Sequence, residues 1–178
     1  MRYGKYEIKN VRVNRSMSEE TENFSLDLWV DGVKFASVGN DGRGGCHRTH
    51  PYPPFTMADI ARVEAEMAED TFLVDSQYEK FDSAVNTLMS LADALKVLRK
   101  GAAFIRDGEV LTMAYRGKKA PDEALYAHVE RENPGVTVLN RLPETEAAKL
   151  IVKAQREELD RMFNAAADGD SVSPGSKP

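Results

Sequence analysis

The sequence predicts an α+β fold: an antiparallel sheet built from a three-stranded N-terminal meander and a later β-hairpin, covered by about four helices. Three observations lead there. Two Asp-Gly pairs, Asp31-Gly32 and Asp107-Gly108, each lie between runs of strand-forming residues, and Asp-Gly supplies the positive φ that both loop positions of a type I′ hairpin turn require. Longer segments carry apolar residues at helical spacing. The resulting order, βββ-α-α-ββ-α-β-α, keeps hairpins and helices apart instead of alternating them.

Each element has its own signal. Residues 6–13 read as a first strand, and Ile8 lies on one parity with Val11 and Val13 on the other, which predicts a bulge near Asn10. Residues 14–22 are polar and read as a connecting loop. In the first hairpin the turn places Val30 opposite Val33, Leu28 opposite Phe35 and Leu26 opposite Ser37, with Asp27, Trp29, Lys34 and Ala36 on the other face. Residues 51–55 are proline-rich and fit neither strand interior nor helix. Thr56 reads as an N-cap with Asp59 completing a short-armed capping box, and Met57, Ile60, Val63 and Met67 follow at helical spacing. Residues 71–74 either end that helix or form a brief strand. A second helix carries Phe81, Val85, Leu88, Ala92 and Leu95. It starts at Asp82-Ser83 or at the earlier box over residues 76–79, and stops at Arg99-Lys100-Gly101.

The second hairpin covers residues 102–115 and should place Arg106 opposite Glu109, Ile105 opposite Val110 and Phe104 opposite Leu111. Both its faces are apolar, so it reads as the more buried of the two. Pro121, Asp122 and Glu123 open a short helix that points Leu125 and Val129 inward, until Asn133-Pro134-Gly135 breaks it. Residues 136–139 read as a last strand. Pro143 starts a final helix through Ala147, Leu150, Ile151, Ala154, Leu159 and Met162, with Glu157 and Arg161 paired at i,i+4. Residues 1–167 read as a single domain and 168–178 as a disordered tail.

Composition narrows the function classes. A net charge of −5 over 178 residues argues against duplex-DNA binding through overall charge. No apolar run approaches the ~18 residues of a membrane span, and no apolar signal core follows Met1. The lone cysteine excludes an intramolecular disulfide and fits a reducing compartment. The expectation is a cytoplasmic chain with no membrane partner.

The candidate ligand-binding residues lie after the first hairpin: Asn40, Asp41, Gly42, Arg43, Gly44, Gly45, His47 and His50. Glycines there allow backbone N–H groups to turn inward as an anion nest, and Arg43 offers a bidentate grip on phosphate. The spacing matches neither the dinucleotide fingerprint nor the P-loop. The same glycines also suit a curled connection that simply needs positive φ. Cys46, His47 and His50, with Asp41 or His128, form the alternative: a metal-assisted hydrolase or nuclease. Structural zinc normally joins two separated ligand pairs, whereas this is one cluster, so no metal or other cofactor is expected. Nor should Cys46 and His47 act as a thiolate–base pair, since neighbours on an extended chain point apart. A third reading gathers Arg99, Lys100, Arg106, Arg116, Lys118 and Lys119 into a basic patch for nucleic acid, which the net charge disfavours. Trp29 reads as packed under a helix rather than as an exposed anchor.

One resemblance adds context. Residues 24–34 followed by Asn40-Asp41-Gly42-Arg43-Gly44-Gly45 resemble an uncharacterised family of small proteins carried by phages, prophages and other mobile elements. Its members join a strand–Asp-Gly–strand unit to an Asn-Asp-Gly-x-Gly-Gly loop, and have a later strand ending in Leu-Asn, as at Leu139-Asn140. The resemblance leaves out the C-terminal helix and brings no catalytic residues. It implies an accessory protein that acts on a host or rival system (an anti-defence role). The loop read beside it gives the leading expectation, a non-catalytic interaction module that contacts a phosphate-bearing or protein ligand.

Overall fold

A computed structural model describes residues 1–117 and 119–169, and the chain divides into two compact units, Met1–Ala92 and Asp93–Pro178. The first is built on a five-stranded antiparallel sheet. Its strands, β1 (Arg2–Tyr3), β2 (Tyr6–Val13), β3 (Phe24–Val30), β4 (Val33–Asn40) and β5 (Arg48–Pro51), lie in chain order. The expected meander is β2–β4, and short β1 and β5 extend it at both edges. β5 leaves no trace in apolar alternation, since Arg48, Thr49 and His50 are all polar. It ends on Pro51, which an edge strand tolerates because the missing N–H breaks no interior ladder.

The bulge in β2 falls where the parity change predicts it. The β2–β3 register shifts between Lys9 and Arg12, and Asn10 adopts φ 53°. In the first hairpin the turn pairs Val30 with Val33 and Trp29 with Lys34, and the register then slips. Leu28 faces Ala36 instead of Phe35, Asp27 faces Ser37, and Leu26 faces Val38. Ala36 is therefore fully buried rather than on the polar face. Burial explains the slip. The straight register would put Ser37 and Gly39 inside with Leu26 and Phe24, and turn Val38 out. Burying a valine is worth ~1.5–3 kcal/mol, more than the ~0.5–1.5 kcal/mol net of a ladder hydrogen bond lost at a bulge.

Helix α1 (Met57–Met67) starts as the sequence predicts: the Asp59 carboxylate accepts from the Thr56 backbone N–H and hydroxyl, both at 2.9 Å. Residues 71–73 form a turn, neither helix end nor strand, which seats fully buried Leu73. Helix α2 (Lys80–Lys100) begins next to Glu79, closest to the earlier of the two expected starts, and ends before Gly101. Ile60, Val63, Met67, Val85 and Leu88 join Ile8, Leu26, Leu28, Phe35 and Val38 as the buried apolar set of the first unit.

The boundary between the units falls within α2. In the second unit β6 (Ala102–Arg106) and β7 (Glu109–Met113) form a separate two-stranded sheet with the predicted register at all three expected pairs. β7 stops short of Tyr115 and is half-exposed, so this hairpin is the less buried one. Helix α3 (Glu123–Glu132) takes Asp122 as its cap, with Leu125 and Val129 buried beside Ala102, Phe104 and Val138. The expected strand at 136–139 is only a single bridge, Val138 to Phe104, followed by a 3-10 turn. That turn carries Asn140, whose amide donates to the carbonyls of Leu98 and Gly101 and accepts from Ala103 N–H, closing the end of α2.

Helix α4 (Glu144–Gly169) buries Ala147, Ile151 and Ala154 but leaves Leu159 and Met162 exposed. Arg161 donates to the carbonyls of Glu157 and Gly108 rather than pairing with the Glu157 carboxylate. The helix reaches two residues into the expected tail, and residues 170–178 lie outside the described residues, as does Lys118. No described helix is long and apolar enough to cross a membrane.

Candidate functional site: the open face of the five-stranded sheet

The glycine-rich loop is tied down by its own chain. Three backbone N–H groups, those of Glu19, Glu20 and Thr21, converge on the Gly42 carbonyl at 2.8, 3.0 and 3.3 Å. Buried Asn40 is the hub: its Oδ1 accepts from Thr21 Oγ1 and Gly42 N–H, and its Nδ2 donates to the Gly45 carbonyl. Two further N–H groups of the expected nest are also occupied, that of Arg43 by Asp41 Oδ1 and that of Gly44 by Thr21 Oγ1. An anion would have to displace these bonds. Gly42 has φ 84° and a Cβ there would lie 2.2 Å from the Met17 carbonyl, so the curled-connection reading accounts for it. Arg43 is exposed and among the described residues makes no ion pair.

The slipped register of the hairpin creates a different surface. Two rows of residues cross the sheet on its open face: Arg12–Ser25–Gly39–Arg48, and Lys9–Asp27–Ser37–His50. Strands lie ~4.8 Å apart, so Arg12 and Arg48 stand roughly 14 Å apart over a floor of small residues. Gly39 fits this floor because a Cβ would lie 2.8 Å from the Phe24 carbonyl. A groove of about 650 Å³ runs along this face, and Asn40, Asp41 and His50 also line it. Gly42, Arg43, Gly44, Gly45 and His47 do not.

Charges along the groove are arranged in pairs, with one exception. Asp27 accepts from Asn10 at 2.7 Å and Tyr52 at 2.8 Å, and lies 3.3 Å from Lys34 Nζ. Burial pushes its carboxyl up, but these three partners outweigh that and hold it below the ordinary carboxylate value. Lys34 also sits 4.1 Å over the Tyr52 ring. Arg48 is held by Asp41. Arg12 is exposed and, among the described residues, pairs with no carboxylate. Trp29 is half-buried beneath the Lys9 ammonium at 3.8 Å, and its indole N–H makes no hydrogen bond.

The other expected sites come apart. His50 lies in the groove and Asp41 is on Arg48, so neither joins Cys46 as a metal set, and His128 belongs to the second unit, on α3 beside Arg131. Cys46 and His47 do not point apart as in a strand. Both turn toward the start of α2, where Cys46 Sγ donates to Glu79 Oε1 at 3.0 Å and His47 N–H donates to Asp82 Oδ2 at 2.6 Å. The Glu79 contact raises the Cys46 thiol above its ordinary value. Burial pushes the His47 imidazole down, against the pull of Asp82 and Glu79. Its Nδ1 makes no hydrogen bond, a state that costs ~1–3 kcal/mol when buried. Of the expected basic patch, Arg99 meets Glu144, Arg106 meets Asn133 and Lys119 meets Asp122.

Ser37 and Gly39 escape the sequence reading because only the slip turns them onto the face of Ser25 and Asp27, and Arg48 because β5 leaves no apolar signal. A signal was present. Phe35 lies on one parity and Ala36 and Val38 on the other, the same pattern that marks the bulge at Asn10. No family model matches the chain, and neither a curated protein nor a solved structure matches it.

Proposed function

We propose that this chain is an accessory interaction module that binds a phosphate-bearing ligand along the open face of its five-stranded sheet. One observation carries the reading. Arg12 and Arg48 face each other across small residues that leave the backbone accessible, and Arg12 has no carboxylate among the described residues. A guanidinium without a carboxylate partner is free to take a phosphate bidentately. The volume, about 650 Å³, lies within the ~300–1,000 Å³ range of small-ligand sites. Ser25 and Ser37 hydroxyls add donors and acceptors, and Tyr52 also lines the groove. The likeness to phage-borne proteins supports an accessory role, and a single free thiol suits the cytoplasm.

The test is fluorescence binding of ATP and of a short oligothymidylate to wild type, Arg12→Ala, Arg48→Ala and Arg43→Ala. A charged hydrogen bond is worth ~1.5–3 kcal/mol, so Arg12→Ala should weaken binding roughly tenfold to hundredfold. Arg43→Ala should bind as wild type. Loss of binding in Arg43→Ala with Arg12→Ala unaffected would return the site to the glycine-rich loop.

A further inference from the structure

The segment between β4 and β5 meets the start of α2 in a cluster separate from the groove. One ligand atom from each of Cys46, Glu79 and Asp82 lies within 4.8 Å of the others. Beside them the His47 side chain is only 7% exposed, and its buried Nδ1 stands 3.5 Å from Asp82 Oδ1 without a hydrogen bond. No Lys or Arg among the described residues pairs with either carboxylate. A cavity of about 270 Å³ is lined by His47, Glu79 and Asp82. Two acids, a thiol and an orphaned imidazole nitrogen thus converge with nothing positive among them.

We propose that this cluster is a zinc site, with Cys46 Sγ, His47 Nδ1, one Glu79 oxygen and Asp82 Oδ1 as ligands. One thiolate, one imidazole and two carboxylates form a borderline donor set that suits Zn²⁺. Tetrahedral zinc with ordinary bond lengths holds its ligand atoms about 3.5 Å apart, so the Cys46, Glu79 and Asp82 atoms draw together by up to about 1 Å around the ion. His47 Nδ1, outside their 4.8 Å circle but 3.5 Å from Asp82 Oδ1, turns in to complete the set. Binding releases the Cys46 thiol proton to solvent as the Zn–S bond forms. The requirement for two separated ligand pairs is met: Cys46-His47 is one, and Glu79 and Asp82, three residues apart at the start of α2, are the other. The ion would pin the end of the glycine-rich segment to α2, and Asp82 would keep its bond to His47 N–H through Oδ2.

The experiment uses the full chain, stripped with chelator and titrated with zinc or cobalt. Zinc should bind at about one per chain and raise the melting temperature, and cobalt should give a thiolate charge-transfer band. Cys46→Ser should abolish that band, and Cys46→Ser and Asp82→Asn should each weaken zinc binding at least tenfold, the loss typical of even an outer-shell partner. Metal-free melting temperatures of these variants serve as the folding control, and His50→Ala should bind zinc as wild type. A cobalt spectrum without thiolate character, no melting shift on adding zinc, or unchanged zinc affinity in both ligand variants would overturn the proposal. None of these readouts depends on the groove.

Discussion

The two Asp-Gly hairpins share their turn and little else. Asp31 and Gly32 have φ 51° and 78°, and Asp107 and Gly108 have 54° and 80°, so the backbone turns alike in both. From that common start the second hairpin keeps its register along every pair to Ala102↔Met113. The first keeps it for two pairs and then gains Phe35 as an extra residue. A tight turn therefore dictates only the pairs beside it. Further along, the apolar residues decide which register buries them, and in β4 they favour the slip. The consequence is functional as well as structural. The regular hairpin presents no row of accessible small residues, while the bulged one turns Gly39 outward between Arg12 and Arg48, with Ser37 in the next row.

The largest expected effect tests what holds the bulge. Phe35 is 1% exposed and its ring lies 4.9 Å from that of Phe55, so Phe35→Ala should cost about 3–5 kcal/mol. In the regular hairpin, half-exposed Val110 should lose only about 1 kcal/mol on truncation to Ala. Urea unfolding compares them directly, and a Phe35→Ala cost no larger than that of Val110→Ala would remove burial as the cause of the slip.

Next come the glycines. Gly42 and Gly108 both have positive φ, but a Cβ meets the fixed Met17 carbonyl at the first and only the movable end of Arg161 at the second. Gly42→Ala should therefore cost about 2–4 kcal/mol and Gly108→Ala about 1 kcal/mol. Equal costs in thermal unfolding would show that the loop is not braced as described.

A smaller effect concerns Asp27, whose three partners occupy the floor of the groove. Asp27→Asn should cost about 1–3 kcal/mol near neutral pH, because an amide cannot accept from all of them. The carboxyl is held below its ordinary 3.8. Its contribution is thus complete above that value and is lost as pH falls through the lower folded-state value. Stability curves of wild type and Asp27→Asn should converge on acidification, and a gap persisting in acid would mean the loss is steric.

Much of this was legible from the residues. The α+β class, the bulge at Asn10, the Thr56–Asp59 box, the end of α2 and the whole second-hairpin register follow from local pattern. β5 escaped because an edge strand of Arg, Thr, His and Pro has no apolar face to announce it. The candidate site was half legible. Asn40, Asp41 and His50 line the groove, whereas the glycines that draw attention to Arg43 as a nest residue carry no signal for Arg12. Only three-dimensional placement shows that Asn40, Asp41 and Thr21 already satisfy those N–H groups. Glu79 and Asp82 lie more than 30 residues from Cys46, beyond the reach of any spacing argument.

The central claim is that ligand binds on the face the bulge creates. The most direct measurement is a backbone ¹H–¹⁵N NMR titration of the full chain with ATP and with a short oligothymidylate. The account predicts the largest shifts at Arg12, Ser25, Ser37, Gly39 and Arg48, with Gly42 to Gly44 and the second hairpin little changed. Shifts confined to Gly42–Gly45, or to residues of β6 and β7, would contradict it.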